Sequence, residues 1–412
     1  MPRTLGVAIP HYNDSRYLQE ALVSCLEGSR PADRILVIDD GSSDEEFVRV
    51  QEIISSLRER FRTQIDCARQ PVNLGVVPAL NHGLERIGTD CIMFRAADDR
   101  TLPGFFAGIM NLFEQHPDAG LGVADIRYCT LSRHEGVLEP LGLPAEGFYS
   151  SGDLTRYLSG TNILHSAVVV FDRRKLSEAG GFALDADLYH DWWACHQIAF
   201  RHGVVYWPQP GTAFRLRSDS VSSRCFLDLP RVRRSIEAVR LRLACESPVV
   251  RIRFDQAHML GFFDGIGDLR PQCPEGACAP PVNPTGGLHP VLKRRLETFA
   301  SAIRATRGRI LVYGAGNHSR VMLREWDRLG LPTVSGIVVS DPVHSMFGSL
   351  PVFGVGKVAP SPADLFILSS KSFEETMAAR VRALHPEAHV LSFWNPLHTT
   401  LAPQELIEPD RC

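Results

Sequence analysis

The sequence has no long apolar run, since no stretch approaches the ~20 apolar residues that a membrane-spanning helix needs. Its formal net charge of −3 gives no excess of basic residues for binding nucleic acid. A signal peptide begins with charged residues, continues with an apolar stretch and ends in small residues, and the first residues of this sequence do not follow that order. The ten cysteines are scattered, several of them in apolar runs, which favours reduced thiols in a core. These absences favour a cytoplasmic globular protein that binds no nucleic acid.

The 412 residues have room for two or three domains, and the first half shows short apolar runs alternating with amphipathic segments. Runs at 5–9 and 34–38 have the pattern of buried strands. Each is followed by a polar turn and a helical pattern, at about 15–27 and 45–60. This order predicts an α/β fold with a mainly parallel sheet, in which ligands gather at the carboxyl ends of the strands.

Two adjacent carboxylates, Asp98 and Asp99, follow the apolar run 91–94. Crowded carboxylates repel each other and are costly to bury unless a cation or hydrogen-bond donors compensate them. One of the two could cap a helix that starts near Pro103. Alternatively, the pair could hold a divalent metal together with the phosphates of a ligand. The segment alone leaves both interpretations open.

Other polar residues fall at the same predicted edge, at 11–13 after the first strand and at Asp39 and Asp40 after the second. Asp-Gly-Ser is ordinary turn chemistry, but a carboxylate such as Asp40 also suits the N–H and O–H donors of a base or a ribose. Asn73 has two equally weighted interpretations, a loop residue and a site residue. The coincidence of these groups at one edge is the first argument for a site.

Four segments resemble family 2 glycosyltransferases in their order and spacing over roughly a hundred residues. These enzymes have the GT-A fold and transfer a sugar from a nucleotide diphosphate with inversion. The segments are Ala8-Ile9-Pro10-His11-Tyr12-Asn13, Val37-Ile38-Asp39-Asp40-Gly41-Ser42-Ser43-Asp44, Asn73-Leu74-Gly75 and Ala97-Asp98-Asp99.

The resemblance implies a role for each matching residue. Asp99 would bind Mn²⁺ or Mg²⁺, and Asp98 would lie nearer the ribose. Ala96 stands where many relatives carry another Asp, which leaves one carboxylate fewer for the metal. The residues expected to contact the donor substrate are Pro10, His11, Tyr12, Asp40, Asn73 and Asp98.

A Gly-Gly-Phe turn at 180–182 precedes His190 and Asp191 at the start of an amphipathic helix. In the family that this sequence resembles, an acidic residue at this place removes the acceptor proton. Asp191 is therefore the expected general base, with Asp187 and Asp185 as alternatives. The other interpretation of Asp191 is a first-turn acid that the helix dipole favours.

Arg215 and Arg217 resemble the next landmark of that family, with Arg217 in place of a histidine, and both are expected to face the diphosphate. Solvated arginines are the alternative. Residues 125–160 show no clean period, so we expect them to form loops on the acceptor side.

The last third begins another strand–turn–helix pattern at 309–320, after a Pro- and Gly-rich stretch at 270–287. Ser319 replaces the third glycine of a dinucleotide fingerprint, which argues against a nicotinamide cofactor. The block resembles the small Rossmann-like domains of sugar acyltransferases. The expected domains are a GT-A transferase domain at 1–230, a helical connector and linker at 231–287, and a Rossmann-like domain at 288–412.

The predicted function is metal-dependent transfer of a sugar, with inversion, from a nucleotide diphosphate in bacterial glycan or glycoconjugate synthesis. The expected nucleotide is UDP. The expected acceptor is a glycan, a lipid-linked sugar or a small molecule, with peripheral membrane association through the acceptor and oligomer formation through the C-terminal domain as further expectations. The alternatives are a catalytically silent sugar-nucleotide-binding protein and an enzyme with a second activity in its C-terminal domain.

Overall fold

The computed structural model describes residues 2–215 apart from 131–132 and 160–161, residues 228–263, and parts of 299–392. The chain divides into two compact units, Met1–Leu260 and Gly261–Cys412. The helices that follow residue 228 therefore belong to the first unit. The expected Pro- and Gly-rich linker at 270–287 lies outside the described residues, so the domain boundaries at 230 and 288 stay predictions.

The first unit contains alternating strands and helices, as the apolar runs predict. Its strands are β1 (Leu5–His11), β2 (Arg34–Asp39), β3 (Gln64–Arg69), β4 (Cys91–Phe94), β5 (Arg100–Thr101), β6 (Leu121–Thr130), β7 (Arg133–Glu139), β8 (Gly147–Tyr149), β9 (Val169–Asp172) and β10 (Val204–Arg215). Its α-helices are α1 (Leu18–Leu26), α2 (Asp44–Arg60), α3 (Val76–Arg86), α4 (Phe105–Gln115), α5 (Arg173–Glu178), α6 (His190–His202), α7 (Leu229–Cys245) and α8 (Pro248–Gln256). Short 3₁₀ turns lie at Asp153–Arg156, Ser166–Val168, Asp187–Tyr189 and Met259–Phe263.

These strands form one mixed sheet in the order β3-β2-β1-β4-β9-β6-β10-β5, with β7 beside β6 and β8 beside β10. The first four strands of that order are parallel, whereas β9 runs antiparallel to both β4 and β6. Because β1, β2 and β4 are parallel neighbours, their carboxyl ends meet at one edge of the sheet. A large core of aliphatic and aromatic side chains from β1, β2, α1, α2 and α4 packs against the sheet and holds this edge in place.

Residues 125–160 do not form one continuous run of loops, although 140–146 and 150–158 lie outside the strands. They continue β6 and supply β7 and β8, and β6 pairs in parallel with β10 from Leu121↔Val204 to Cys129↔Arg215. Ile126 is buried in the core, and Asp125 accepts a hydrogen bond from the Tyr206 hydroxyl at 2.6 Å. The expectation of loops was wrong for the strands of this segment, because Asp125, a polar residue on β6, is satisfied by a partner that lies far away in the chain.

The second unit contains β11 (Ile310–Tyr313), β12 (Gly336–Val339), β13 (Met346–Phe347), β14 (Leu350–Gly354), β15 (Leu365–Leu368), α9 (Glu374–Leu384) and β16 (His389–Ser392). Its strands form a separate sheet, in the order β13-β14-β12-β11-β15-β16, and the unit has its own apolar core. Strands β11, β12, β14, β15 and β16 pair in parallel, and β13 runs antiparallel to β14. Most of the Gly-Ala-Gly turn after β11 lies outside the described residues, so the likeness to acyltransferase domains stays a prediction.

Across the described residues, no helix combines the length and the apolar character needed to cross a membrane.

Candidate active site

The carboxyl ends of β1 and β2 place His11 beside Asp39. His11 Nε2 accepts the backbone N–H of Asp14 at 3.4 Å, so Nδ1 carries the proton and donates to Asp39 Oδ1 at 3.1 Å. Burial would raise the pKa of the Asp39 carboxyl, but hydrogen bonds from His11 and Ser42 outweigh it and lower that pKa. The buried His11 thus orients a buried carboxylate, whereas the adjacent Tyr12 is 48% exposed at the edge.

Asp40 fastens the loop that precedes α3. Its Oδ1 accepts the N–H of Leu74 and its Oδ2 that of Gly75, both at 2.8 Å. The exposed Asn73 accepts the same Gly75 N–H through its own Oδ1, at 3.0 Å. The pKa of the Asp40 carboxyl is raised because the effect of burial is larger than the opposing effect of the hydrogen bonds from the two backbone N–H groups. Since each carboxylate oxygen has two lone pairs, Asp40 can hold the loop and still accept from a bound base.

Gly41 allows this loop to approach the end of β2. A Cβ on Gly41 would lie 2.4 Å from the carbonyl carbon of Val72, and Gly41 has a φ of +70°.

We expect Gly41→Ala to lower the free energy of unfolding by about 1–3 kcal/mol and to weaken nucleotide binding, because the loop must move. Gly28→Ala is the matched control, since Gly28 has a φ of +105° with no atom within 4 Å of its Cβ position. Equal urea-unfolding losses in both variants would contradict the close approach.

Asp98 and Asp99 follow β4 at the same edge. Asp99 is 2% exposed, and its Oδ1 accepts the backbone N–H of Arg215 at 2.8 Å. Burial raises the pKa of the Asp99 carboxyl and the charge of Asp98 raises it further, while Arg95 and Arg215 oppose both effects. Burial and the neighbouring charge of Asp98 thus make the ionised form of Asp99 costly, a cost that a bound divalent cation would relieve.

The described part of the chain does not by itself supply a full coordination shell. Among the residues that the structure describes, His, Cys, Asp and Glu side chains form no group of three that could hold a metal. The two carboxylates therefore fit an ion such as Mg²⁺ or Mn²⁺ only if the ligand contributes further oxygens, as a diphosphate does.

Arg215 fixes the backbone around this carboxylate pair. Its Nε donates to the carbonyl oxygen of Asp98 at 2.9 Å, and its Nη2 donates to Glu20 Oε2 at 2.6 Å. Its guanidinium carbon lies 4.3 Å from the centre of the Tyr17 ring. Glu20 also forms an ion pair with Arg100, with its Oε1 3.2 Å from Arg100 Nε. Sequence reasoning missed Glu20, because nothing local marks an acid on α1 as the partner of two arginines far away in the chain.

Asp191 lies in the first turn of α6, half-buried. Its Oδ2 accepts from the Ser166 hydroxyl at 2.7 Å, and its Oδ1 accepts from the backbone N–H of Trp192 at 2.7 Å. Both donors are neutral, so they orient the carboxylate without an ion pair. A carboxylate held in this way can accept a proton from a hydroxyl group that binds beside it.

The alternative bases, Asp187 and Asp185, are bound by arginines of α7. Arg231 makes a two-pronged contact with Asp187, with Nε to Oδ2 at 2.6 Å and Nη2 to Oδ1 at 2.7 Å. Hydrogen bonds from Arg231 lower the pKa of the Asp187 carboxyl. Arg242 Nε donates to Asp185 Oδ1 at 2.6 Å. Both carboxylates are thus bound by cations, whereas Asp191 is held by neutral donors, so the geometry favours Asp191 among the three.

Asn81 connects α3 to the turn that leads towards Asp191. Its Nδ2 donates to the carbonyl oxygen of Phe182 at 2.8 Å, and its Oδ1 accepts the N–H of Phe182 at 2.9 Å. The side-chain amide thus satisfies both backbone groups of one residue in the Gly-Gly-Phe turn. Sequence reasoning also missed this contact. It ties the turn at 180–182 to α3, the helix that follows the loop at 73–75.

The structure brings most of the predicted site residues to one edge of the sheet. Pro10 is the penultimate residue of β1, next to His11. Arg215 ends β10, and its guanidinium lies against Glu20 and Tyr17. Arg217 lies outside the described residues. Roles in substrate binding for all these residues remain predictions.

Comparison with known proteins agrees with this geometry. Residues 6–170 match the family described as glycosyl transferase family 2. The chain is 26% identical over 246 residues to the amylovoran biosynthesis glycosyltransferase AmsE of Erwinia amylovora, covering 58% of this chain and 85% of that protein. It is 33% identical over 95 residues to an uncharacterized glycosyltransferase of Haemophilus influenzae, covering 23% of this chain and 36% of the other.

A crystal structure of S. aureus TarS in complex with UDP-GlcNAc is similar to this chain with a TM-score of 0.51 and 13% sequence identity. The likeness covers 63% of this chain and 71% of that one. The first unit therefore has a GT-A fold, and the matched domain with its named relatives shows that the protein is a glycosyltransferase.

Proposed function

We propose that the protein transfers a sugar, with inversion, from a nucleotide diphosphate to an acceptor hydroxyl in bacterial glycan or glycoconjugate synthesis. The observation that carries the proposal is the buried carboxylate of Asp99 beside Asp98, at the edge that also holds His11 and Asp40. UDP is the first nucleotide to test, because TarS has been crystallised with UDP-GlcNAc. The relative AmsE is named for the biosynthesis of amylovoran, which agrees with a glycan product.

The donor half of the site follows from the contacts of Asp40 and Asp99. Asp40 and the loop at 73–75 bind the nucleoside, with Tyr12 at the exposed side. Asp99 would hold Mn²⁺ or Mg²⁺, with Asp98 nearer the ribose. A bound divalent ion would neutralise charge on the diphosphate leaving group. Arg215 holds the Asp99 carboxylate through its backbone N–H and the backbone carbonyl of Asp98 through its Nε.

The acceptor half uses Asp191. Ser166 and the N–H of Trp192 hold its carboxylate in one orientation. Asp191 takes the proton of the acceptor hydroxyl as the oxygen attacks the anomeric carbon from the face opposite the leaving nucleotide. A single displacement of this kind inverts the configuration of that carbon.

Donor hydrolysis tests the proposal without knowledge of the acceptor. We expect slow release of nucleotide diphosphate from at least one UDP-sugar in the presence of Mn²⁺ or Mg²⁺, and loss of release in EDTA. The readout is free UDP, measured across UDP-, GDP- and dTDP-sugars. If no nucleotide sugar is hydrolysed although UDP raises the melting temperature, the protein is instead a sugar-nucleotide-binding protein.

A further inference from the structure

Arg95 is a charged side chain where the strand pattern predicts an apolar one. Cys91 and Met93 of β4 belong to the apolar core, and alternation along the chain places Arg95 on the same face. Its side chain is 1% exposed. Among the described residues, its hydrogen-bond partners are neutral and its Nε has none. Burying a guanidinium without a carboxylate partner is costly, which indicates a role beyond packing.

The Arg95 guanidinium is bound by two threonines on neighbouring strands. Thr101 of β5 and Thr212 of β10 are antiparallel partners, and both are buried. Arg95 Nη2 donates to Thr101 Oγ1 at 3.1 Å, and Nη1 donates to Thr212 Oγ1 at 2.9 Å. The two threonines therefore bind the same cation in the same way.

Thr212 differs from Thr101 in its second contact. The Thr212 hydroxyl donates to the carbonyl oxygen of Ala167 at 2.6 Å, and Arg95 Nη1 donates to the same oxygen at 3.3 Å. The second partner of the Thr101 hydroxyl is Cys25 Sγ, at 3.4 Å. Because Thr212 Oγ1 accepts from Arg95 while it donates to Ala167, the two hydrogen bonds strengthen each other. Arg95 and Thr212 thus hold the Ala167 carbonyl together.

Ala167 belongs to the turn that orients Asp191. Ser166–Val168 form one 3₁₀ turn, and the Ser166 hydroxyl donates to Asp191 Oδ2 at 2.7 Å. The same segment contacts α6 a second time, where the N–H of Leu164 donates to His196 Nε2 at 3.1 Å. The segment 164–168 is therefore held both by α6 and by the two residues that bind the Ala167 carbonyl.

We propose that Arg95 and Thr212 are positioning residues for Asp191. They hold the turn at 166–168, so that Ser166 keeps the Asp191 carboxylate in the orientation that accepts the acceptor proton. Proton transfer depends on distance and alignment, and a displacement of about 1 Å that originates far from the reacting atoms can lower a rate ~10²-fold. This inference rests on the proposed function, because it takes Asp191 as the general base.

The same arginine begins the segment that leads to Asp98 and Asp99. Its backbone N–H donates to the carbonyl oxygen of Ala8 on β1 at 2.9 Å, which fixes this segment to the sheet. Arg95 therefore connects the donor half of the proposed site, through its backbone, with the acceptor half, through its side chain.

Thr212→Val and Thr101→Val form a matched pair of variants. Each keeps the shape of a buried threonine, changes no charge and removes a hydroxyl that accepts from Arg95, whereas Thr212→Val also removes the donor to Ala167. We expect both variants to lose similar stability in urea unfolding. Thr212→Val is expected to release UDP from a hydrolysed UDP-sugar roughly 10–10²-fold more slowly than the wild type, with water in place of the acceptor. Thr101→Val is expected to stay near the wild-type rate.

Calorimetry with UDP in Mn²⁺ separates positioning from donor binding. We expect the affinity for UDP to be the same in both threonine variants as in the wild type, so that the loss in Thr212→Val lies in kcat. Equal rate losses in Thr212→Val and Thr101→Val, or a wild-type rate in Thr212→Val, would overturn the proposal.

The double variant Asp191→Asn, Thr212→Val tests whether the effect acts through Asp191. We expect it to be no slower than Asp191→Asn alone, because a positioning effect requires the group that is positioned. The rates are measured as UDP released at high enzyme concentration. If the two losses multiply instead, Thr212 acts on another part of the protein and the proposal is wrong.

Hydrogen exchange gives a readout that needs no turnover. We expect the peptide at 164–170 to exchange faster in Thr212→Val and Arg95→Met than in the wild type, and at the wild-type rate in Thr101→Val. Arg95→Met is expected to fold, because an apolar side chain of similar length replaces a buried cation without a carboxylate partner. If the wild type hydrolyses no nucleotide sugar, the proposed function fails. Unchanged exchange in both Thr212→Val and Arg95→Met would show that these residues do not hold the turn.

Discussion

Replacing Asp191 with asparagine is expected to lower sugar transfer by about 10²–10⁴-fold while the affinity for UDP stays at its wild-type value. The carboxylate is held by two neutral donors, Ser166 and the N–H of Trp192. Asparagine keeps the volume and an acceptor oxygen, so α6 can begin as it does in the wild type. Its amide cannot take up a proton at neutral pH. Steady-state kcat measures the loss, and calorimetry with UDP measures binding.

Asp187→Asn is the control for this variant. It removes a carboxylate four residues away that is already occupied by Arg231. We expect Asp187→Asn to reduce stability, because a neutral amide replaces the carboxylate that accepts two hydrogen bonds from Arg231, and to change kcat far less than Asp191→Asn does. Near wild-type transfer by Asp191→Asn would show that the base is elsewhere. Loss of UDP binding together with activity would show that Asp191 belongs to the donor half of the site.

Asp99→Asn is expected to weaken Mn²⁺-dependent UDP binding by more than tenfold, or about 1.4 kcal/mol. The asparagine oxygen can still accept the N–H of Arg215, so the contact at 2.8 Å is retained while one anionic metal ligand is lost. Calorimetric titration with UDP, in Mn²⁺ and in EDTA, measures the effect. The variant is expected to bind UDP with nearly the same affinity in both.

Asp98→Asn separates the metal from the ribose. Because Asp98 is expected to lie nearer the ribose, its loss should weaken UDP binding by a similar factor with and without metal. The affinity for UDP in Mn²⁺ is compared with that in EDTA. If this difference is as large in Asp99→Asn as in the wild type, Asp99 does not hold the metal.

The edge of the sheet that holds His11, Asp39 and Asp40 could be predicted from the sequence because its signals are local. A short apolar run that ends in polar residues marks both a strand and its carboxyl end, as at His11 and Asp39. Parallel pairing then brings such ends together without further information, and the register His11↔Asp39 is the one that this rule predicts.

The structure of residues 125–160 could not be predicted in the same way. β6 pairs with β10, about 80 residues later in the chain, and Asp125 on β6 is satisfied by Tyr206 on β10. A polar residue with such a distant partner interrupts the apolar pattern on which strand prediction depends, which is why residues 125–160 resemble loops.

By itself, the sequence determined the alternation of strands and helices, the acidic and amide residues at the strand ends, and the likeness to family 2 glycosyltransferases. Only the tertiary structure decided which carboxylates are already paired. Asp185 and Asp187 are bound by arginines of α7, while Asp191 is held by neutral donors. Glu20 and Arg215 secure the pair at Asp98 and Asp99 across nearly two hundred residues of chain. The physical reason is that a carboxylate's function depends on its burial and on its nearest cation, and long-range packing sets both.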